Sequence, residues 1–503
     1  MTDLSLKNFL SLSAVLVLLP SVSLGEETKI TAAGFSRAEW IEQRLERTLF
    51  SGGVLPTTNR LPVPAIPGKS SRAGAARSGR LRRVNDDLLV GEAVPQPGTQ
   101  AEPYIHANPF DPRHLIAGWQ ENRFPDGGAQ SLNVAVSFDG GKSWTESLLP
   151  GLTAVSGGPW ERASDPWVEF GPDNHVFFAS LLFNQTTPDN AIGVSRSTDG
   201  GLSWGEPVIV FRSTADFNDK EALTIDTFPE SRFFGRVYVA WDLNLDTSPV
   251  QELLVARSTD RGLSYRRPRL VRSSNVNIGA APRVGPDGTV YLVWSGNSLG
   301  RSALQILFSR SRNGGRRWSE PKVIAELLSL GVASLRTGEI LPSFAVDPVS
   351  GDLHVGWQDA RWTGVDQATL ISSRDGGATW SEPARVSAAP DDAATFTVSV
   401  AVDRRGTVGV SYYSLENDPV RAFLVDRYLR VSGDGGESFG APIRVTRETF
   451  DVRFAAQARG YFLGDYVGLT GKKRGFHLLW ISTRRISAAL GLQQPDAWAA
   501  RAR

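Results

Sequence analysis

The sequence predicts an all-β chain arranged as a β-propeller, on three observations. A short turn motif recurs six times at a near-constant spacing, each interval holds four short β-rich stretches, and fragments of one more repeat lie at the two ends of the repeat region. The first copy reads Ser137-Phe-Asp139-Gly-Gly141-Lys-Ser-Trp144 and the second Ser197-Thr-Asp199-Gly-Gly201-Leu-Ser-Trp204. The Asp or Asn recurs at 139, 199, 260, 313, 375 and 434, in steps of 60, 61, 53, 62 and 59 residues. A fixed period of that size means stacked supersecondary units.

Ahead of the repeats, residues 1–25 have the pattern of an export signal. Lys7 precedes an apolar run from Phe9 to Leu19, and Ser23-Leu-Gly25 supplies small residues for cleavage. That run is short for a membrane span, and no later segment reaches spanning length. A secreted or periplasmic chain is expected, with no transmembrane span after processing. Residues 26–80 read as one helix and a linker. Ser36 and Glu39 form a capping-box pattern before the apolar stripe of Trp40, Ile41, Leu45 and Leu49, and residues 51–79 are rich in Pro, Gly, Ser and Arg.

From residue 81 to 503 the pattern is β. In the fifth repeat the stretches are Ser343 to Asp347, Leu353 to Trp357, Ala368 to Ser372 and Pro383 to Val386. Each repeat is therefore a four-stranded antiparallel sheet, and a ring of such sheets is a propeller. In the turn, the Asp or Asn side chain closes the loop, Gly takes positive φ, and the aromatic residue plugs the space between strands. These turns read as structural staples. One carboxylate per turn is too few oxygens for calcium.

The repeat count follows from what is left over. Asp465 to Leu469 and Phe476 to Trp480 repeat the first two strands, and Ala497 to Arg501 supplies a third. The missing fourth is matched by Leu81-Arg-Arg-Val84, which resembles Pro383-Ala-Arg-Val386 and Pro442-Ile-Arg-Val445. An N-terminal strand closing the seventh sheet removes an exposed edge. Seven sheets are expected, with six as the alternative.

Composition narrows the chemistry. The chain has 503 residues, a formal charge of +1 and no cysteine. Nucleic acid is not an expected partner on charge grounds, and thiolate metal sites, disulfides and a Cys nucleophile are excluded. The five histidines (His106, His114, His175, His354, His477) show no metal-ligand spacing, so neither a metal nor a cofactor is expected.

Antiparallel connectivity puts the six turns on one face and the loops that join successive sheets on the other, where a site is expected. Strand two ends in Trp119-Gln-Glu-Asn-Arg123 in the first repeat, Trp357-Gln-Asp-Ala-Arg361 in the fifth and Trp480-Ile-Ser-Thr-Arg484 in the seventh. Three arginines at equivalent positions suit a carboxylate or phosphate ligand. The plainer account pairs each with an acid of its own or a neighbouring sheet. The inter-sheet loops add Asp165, the Asp219-Lys220-Glu221 run and Asp465-Tyr466, with Glu102, Glu121 and Asp359 in comparable loops. An acid desolvated there has a raised pKa and can donate a proton; the structural alternative has these acids capping turns and neutralising the arginines.

The Ser-x-Asp-x-Gly-x-x-Trp turns resemble the Asp-box, or BNR, repeats of the sialidase-like superfamily, over residues 82 to 503. Glu102-Pro-Tyr-Ile, Asp219-Lys-Glu-Ala-Leu and Gly464-Asp-Tyr-Val-Gly468 look like an exported bacterial branch often labelled exo-α-sialidase. The resemblance implies a glycoside hydrolase acting on terminal acidic sugars by a retaining mechanism. By role it implies Arg123, Arg361 and Arg484 as a carboxylate clamp, Asp165 as acid, and Tyr466 with Glu221 as the nucleophile pair. The sequence lacks the Phe/Tyr-Arg-Ile-Pro motif of sialidases, and seven sheets rather than six alter the spacing of any inherited site. The alternative is a non-catalytic propeller that binds glycan or protein in the cell envelope.

Overall fold

A computed structural model describes residues 79–89, 94–271, 276–297, 303–487 and 490–502. The expected export signal and helix, within residues 1–78, lie outside the described residues. What is described is all-β, apart from two single turns of 3-10 helix at Ala154–Ser156 and Val452–Phe454.

Most of the described strands form seven four-stranded antiparallel sets, here sheets I to VII; I and II are joined by one bridge, Ala129 to Ala163, and Leu335–Arg336, Tyr461–Phe462 and Ala456–Gln457 form a further three-stranded sheet. The innermost strands of sheets I to VII are Gln100–Ala107 (I), Arg162–Phe170 (II), Phe217–Ile225 (III), Asn277–Val284 (IV), Ser343–Val346 (V), Thr395–Val402 (VI) and Gly468–Gly471 (VII). In sheet V the others are Leu353–Asp359, Gln367–Ser373 and Ala384–Arg385, within two residues of the sequence expectation. In sheet VII, Gly468–Gly471 pairs with Phe476–Ile486 and that strand with Gln493–Ala502. The N-terminal Arg82–Arg83 then adds to Gln493–Ala502, with Arg82 opposite Ala499. Val84 and Asn85 extend this join: the Val84 amide donates to the Ala497 carbonyl at 2.9 Å, and the Ala497 amide to Asn85 Oδ1 at 3.1 Å.

The innermost strands pack on one another in sequence order, each against the next, and Gly468–Gly471 of sheet VII packs against Gln100–Ala107 of sheet I. Between neighbouring sheets lies apolar core. Strand two contributes a buried tryptophan at the same place in five sheets, namely Trp119, Trp241, Trp294, Trp357 and Trp480. Their burial, with the β-branched residues around them, is the main driving force for stacking the sheets.

The six repeated turns behave as staples. In the second, Asp199 Oδ1 accepts from the Leu202 and Ser203 amides at 3.1 and 2.9 Å, while Ser197 Oγ accepts from the Gly201 amide at 2.8 Å. In every other copy the Asp or Asn Oδ1 accepts from the amide four residues on, and the Ser Oγ from a glycine amide four residues on. The second glycine is required twice over. At Gly377 φ is +88°, and a Cβ there would sit 2.3 Å from the Phe308 ring of the preceding sheet. Each turn is thus wedged against a neighbour, and the sequence period becomes a packing period.

Candidate functional site

The innermost strands carry a second repeated device, invisible as a motif. Five of them slip register at the same place: between Ala101 and Tyr104, Ser164 and Trp167, Asp219 and Ala222, Ile278 and Ala281, and Phe396 and Ser399. The first bulged residue has positive φ each time: Glu102 (53°), Asp165 (53°), Lys220 (50°), Gly279 (70°) and Thr397 (47°). A bulge re-aims a side chain out of the alternating pattern of a strand. Four of the five are not glycine, which costs roughly 1–3 kcal/mol of backbone strain each. Glu102, Asp165 and Lys220, expected in loops, therefore stand within strands, at bulges.

Three of these bulged side chains meet. Lys220 Nζ lies 2.8 Å from Asp165 Oδ1, 2.7 Å from Asp465 Oδ2 and 3.4 Å from Glu102 Oε1, with all four residues buried. Burial alone would pull the ammonium down, but Asp165, Asp465 and Glu102 outweigh it and hold it well above its ordinary range. Burial, then the Asp165 charge, pushes the Glu102 carboxyl up. Asp465 goes the other way. Burial would raise it, but Arg336 and Lys220 together hold it far below the usual carboxylate range.

Arg336 grips Asp465 with both ends of its fork, Nε to Oδ1 at 2.8 Å and Nη2 to Oδ2. It arrives on a short strand, Leu335–Arg336, that pairs in parallel with Tyr461–Phe462. Gly338 follows it because a Cβ there would lie 2.0 Å from the Asp465 carbonyl oxygen. Phe462 is held between two guanidinium groups, Arg123 at 4.5 Å and Arg336 at 4.6 Å from its ring centre. Arg123 is buried and bonds to Gln120, which in turn bonds to Glu102 and Ser164. Burial, then the Arg336 charge, pulls it down to about 10.

Beside this cluster is a cavity partly open to solvent, with a lining drawn from the innermost strands of all seven sheets or the residues leading into them. One wall is aromatic and charged: Tyr104, Trp167, Lys220, Glu221, Arg283 and Tyr466. Tyr104 and Trp167 stack at 4.0 Å, and Tyr466 meets both edge-on. The other wall, from sheets V and VI, is mainly aliphatic, with Leu341, Val398 and Val400.

Glu221 is the anomaly of the charged wall. It is buried, and among the described residues neither carboxylate oxygen has a hydrogen-bond partner from another residue. Burial and then the Asp165 charge push it well above the usual carboxylate range, the direction that suits a group that gives up a proton.

The expected residues thus part company. Asp165, Glu221, Tyr466 and Arg123 are in or beside the cluster. The Tyr466 hydroxyl donates to the Pro166 carbonyl at 3.1 Å rather than to Glu221. Arg361 is held in sheet V by Asp359, at 2.8 and 2.9 Å, and by the Glu326 carbonyl at 2.6 Å. Arg484 stacks on Trp498 of sheet VII at 3.8 Å. Neither shares a partner with Arg123. Glu121 and Asp359 receive the indole N–H of Trp119 and Trp357, two residues before each, at 3.1 and 2.7 Å. Lys220 as hub, Arg336 and Arg283 have no motif that announces them.

No family model and no curated protein matches the chain. Among solved structures it is similar to a protein of unknown function from Dyadobacter fermentans, at 16% identity over 84% of this chain and 99% of that one, TM-score 0.45. A Penicillium chrysogenum α-L-arabinanase complexed with arabinobiose is similar at 14% identity, over 67% and 93% of the two chains, TM-score 0.44. The intramolecular trans-sialidase of Ruminococcus gnavus is similar at 12%, over 83% and 96%, TM-score 0.41. Likenesses this distant transfer no site.

Proposed function

We propose that the seven sheets are the blades of a closed seven-bladed propeller, and that the chain is an exported glycoside hydrolase of sialidase-like type working in the central cavity. The ring is supported by the order in which innermost strands pack and by the N-terminal strand on sheet VII. Export rests on the character of residues 1–25. The observation that carries the chemistry is Glu221, a buried acid without a partner in the wall of the cavity.

Glu221 takes the acid role that the family resemblance gave to Asp165. It donates its proton to the departing glycosidic oxygen as the bond to the sugar breaks. Asp165, tied to Lys220, orients the ammonium from behind. Asp465 and Tyr466 line the cavity beside it. The Tyr466 hydroxyl donates to the Pro166 carbonyl, which cannot take its proton, so water rather than the phenol captures the sugar cation and returns a proton to Glu221. Tyr104 and Trp167 offer ring faces on which a sugar stacks.

A second reading, a propeller that binds glycan without cleaving it, is favoured by one observation. Lys220 and Arg336 are already matched by Glu102, Asp165 and Asp465 within the protein. Fluorogenic sialosides, uronides and arabinosides, assayed from pH 4 to 8 alongside a glycan array, separate the two. Release of fluorophore from any of them supports the hydrolase. Retention of glycan with every glycoside inert supports the binder and sinks the hydrolase.

A further inference from the structure

The cations of the cavity wall are unequally neutralised. Lys220 lies against Asp165, Asp465 and the Glu102 carboxyl, the last pushed up to about 8 chiefly by burial, and Arg336 makes a forked pair with Asp465. Arg283, on the innermost strand of sheet IV, has one carboxylate neighbour among the described residues, with Nη1 3.4 Å from Glu169 Oε1, beyond the 2.7–2.9 Å usual for a charge-assisted bond. Burial pushes Glu169 up to about 7, so near neutrality it offers only part of a charge. The guanidinium is nonetheless fixed in place. Nη1 donates to the Pro282 carbonyl at 2.8 Å, Nη2 to the Tyr104 hydroxyl at 3.0 Å, and the group lies 5.3 Å from the Trp167 ring centre. Its side chain is 20% exposed, and Arg283, Tyr104 and Trp167 all line the cavity.

We propose that Arg283, with the Tyr104 hydroxyl and the Trp167 ring, is a carboxylate-binding subsite for a ring-shaped acidic ligand. It sits apart from the Lys220 cluster and from the arginines at the ends of strand two. A ligand carboxylate replaces Glu169 as the close partner of the guanidinium, while its ring lies on the aromatic wall. The assignment rests on the cavity being the ligand site, as proposed above, but not on any bond being cleaved there.

4-Bromobenzoate is a suitable probe, since it carries the carboxylate and ring and has no glycosidic bond. Calorimetric titration is expected to show binding to the full chain, weakened about tenfold or more in Arg283→Met and unchanged in Arg212→Met, an exposed arginine of sheet II. 4-Bromobenzamide, uncharged, is expected to bind at least about tenfold more weakly. Should Arg283→Met fail to fold, anomalous diffraction from the soaked wild-type crystal decides, with the carboxylate expected within about 3 Å of the guanidinium. No binding, equal binding by the benzamide, an undiminished affinity in a folded Arg283→Met, or a carboxylate seated elsewhere would each overturn the subsite. Turnover of glycosides without benzoate binding overturns the subsite alone; benzoate binding without turnover overturns the hydrolase alone.

Discussion

The six Asp or Asn turns and the inner-strand bulges both recur from sheet to sheet, yet they repeat different things. The six turns keep the same side chains doing the same work, as in the Ser197 and Asp199 bonds to the backbone of their own loop. The bulges keep only the backbone, and place Glu102, Asp165, Lys220, Gly279 and Thr397 at equivalent points. A repeat of identical side chains builds the scaffold. A repeat of conformation with varied side chains concentrates unlike charges in one place.

The sharpest way to break this contrast is at the hub. Lys220→Met leaves Glu102, Asp165 and Asp465 buried without their shared cation, and is expected to cost about 3–5 kcal/mol by denaturant unfolding. A loss under about 1 kcal/mol would mean that the charges do not meet.

Next in size is a pH effect from the cavity wall. Glu169 is raised to about 7 in the folded state from an ordinary 4.5, chiefly by burial against the Arg283 attraction. The folded state therefore holds the extra proton, and this contribution to stability, full below about 4.5, is lost as pH rises through about 7. Unfolding from pH 4.5 to 8 is expected to show Glu169→Gln escaping a decline of roughly 3 kcal/mol that wild type carries. Parallel curves would contradict the shift.

Turn substitutions are smaller and should leave ligand binding alone. Gly377→Ala forces a Cβ towards Phe308 at positive φ, for an expected loss of about 1–3 kcal/mol. Ser197→Ala removes the acceptor of the Gly201 amide and the donor to Asp199, for about 1 kcal/mol. Thermal unfolding beside a benzoate titration checks both, and a change of affinity without a change of stability would merge the two regions.

The same contrast explains what the sequence discloses. The turn needs Ser, Asp, Gly and an aromatic at fixed offsets, so the turn and the strands between its copies are legible. Even Arg82–Arg83 was identifiable, because it imitates other fourth strands. A bulge asks only that one residue tolerate positive φ, and Glu, Asp, Lys, Gly and Thr all occupy it here. Asp165 and Glu221 were legible as acids near an inter-sheet connection, but not that Lys220 would bind the first and leave the second unpartnered. Arg361 and Arg484 mislead in the opposite sense. They repeat in sequence, like the turns, and are held by Asp359 with the Glu326 carbonyl of sheet IV, and by Trp498. Arg336 belongs to a segment between sheets IV and V that follows no repeat, and is placed by its pairing with Tyr461–Phe462.

The proposed hydrolase depends on the unpartnered acid in the cavity wall, Glu221. The direct measurement is kcat/KM of wild type and Glu221→Gln on whichever glycoside the panel shows to be cleaved. The variant is expected to fall about 10²–10⁴-fold while its melting temperature stays level or rises, since it removes a proton donor and no protein contact. Equal kcat/KM in a folded variant would contradict the account.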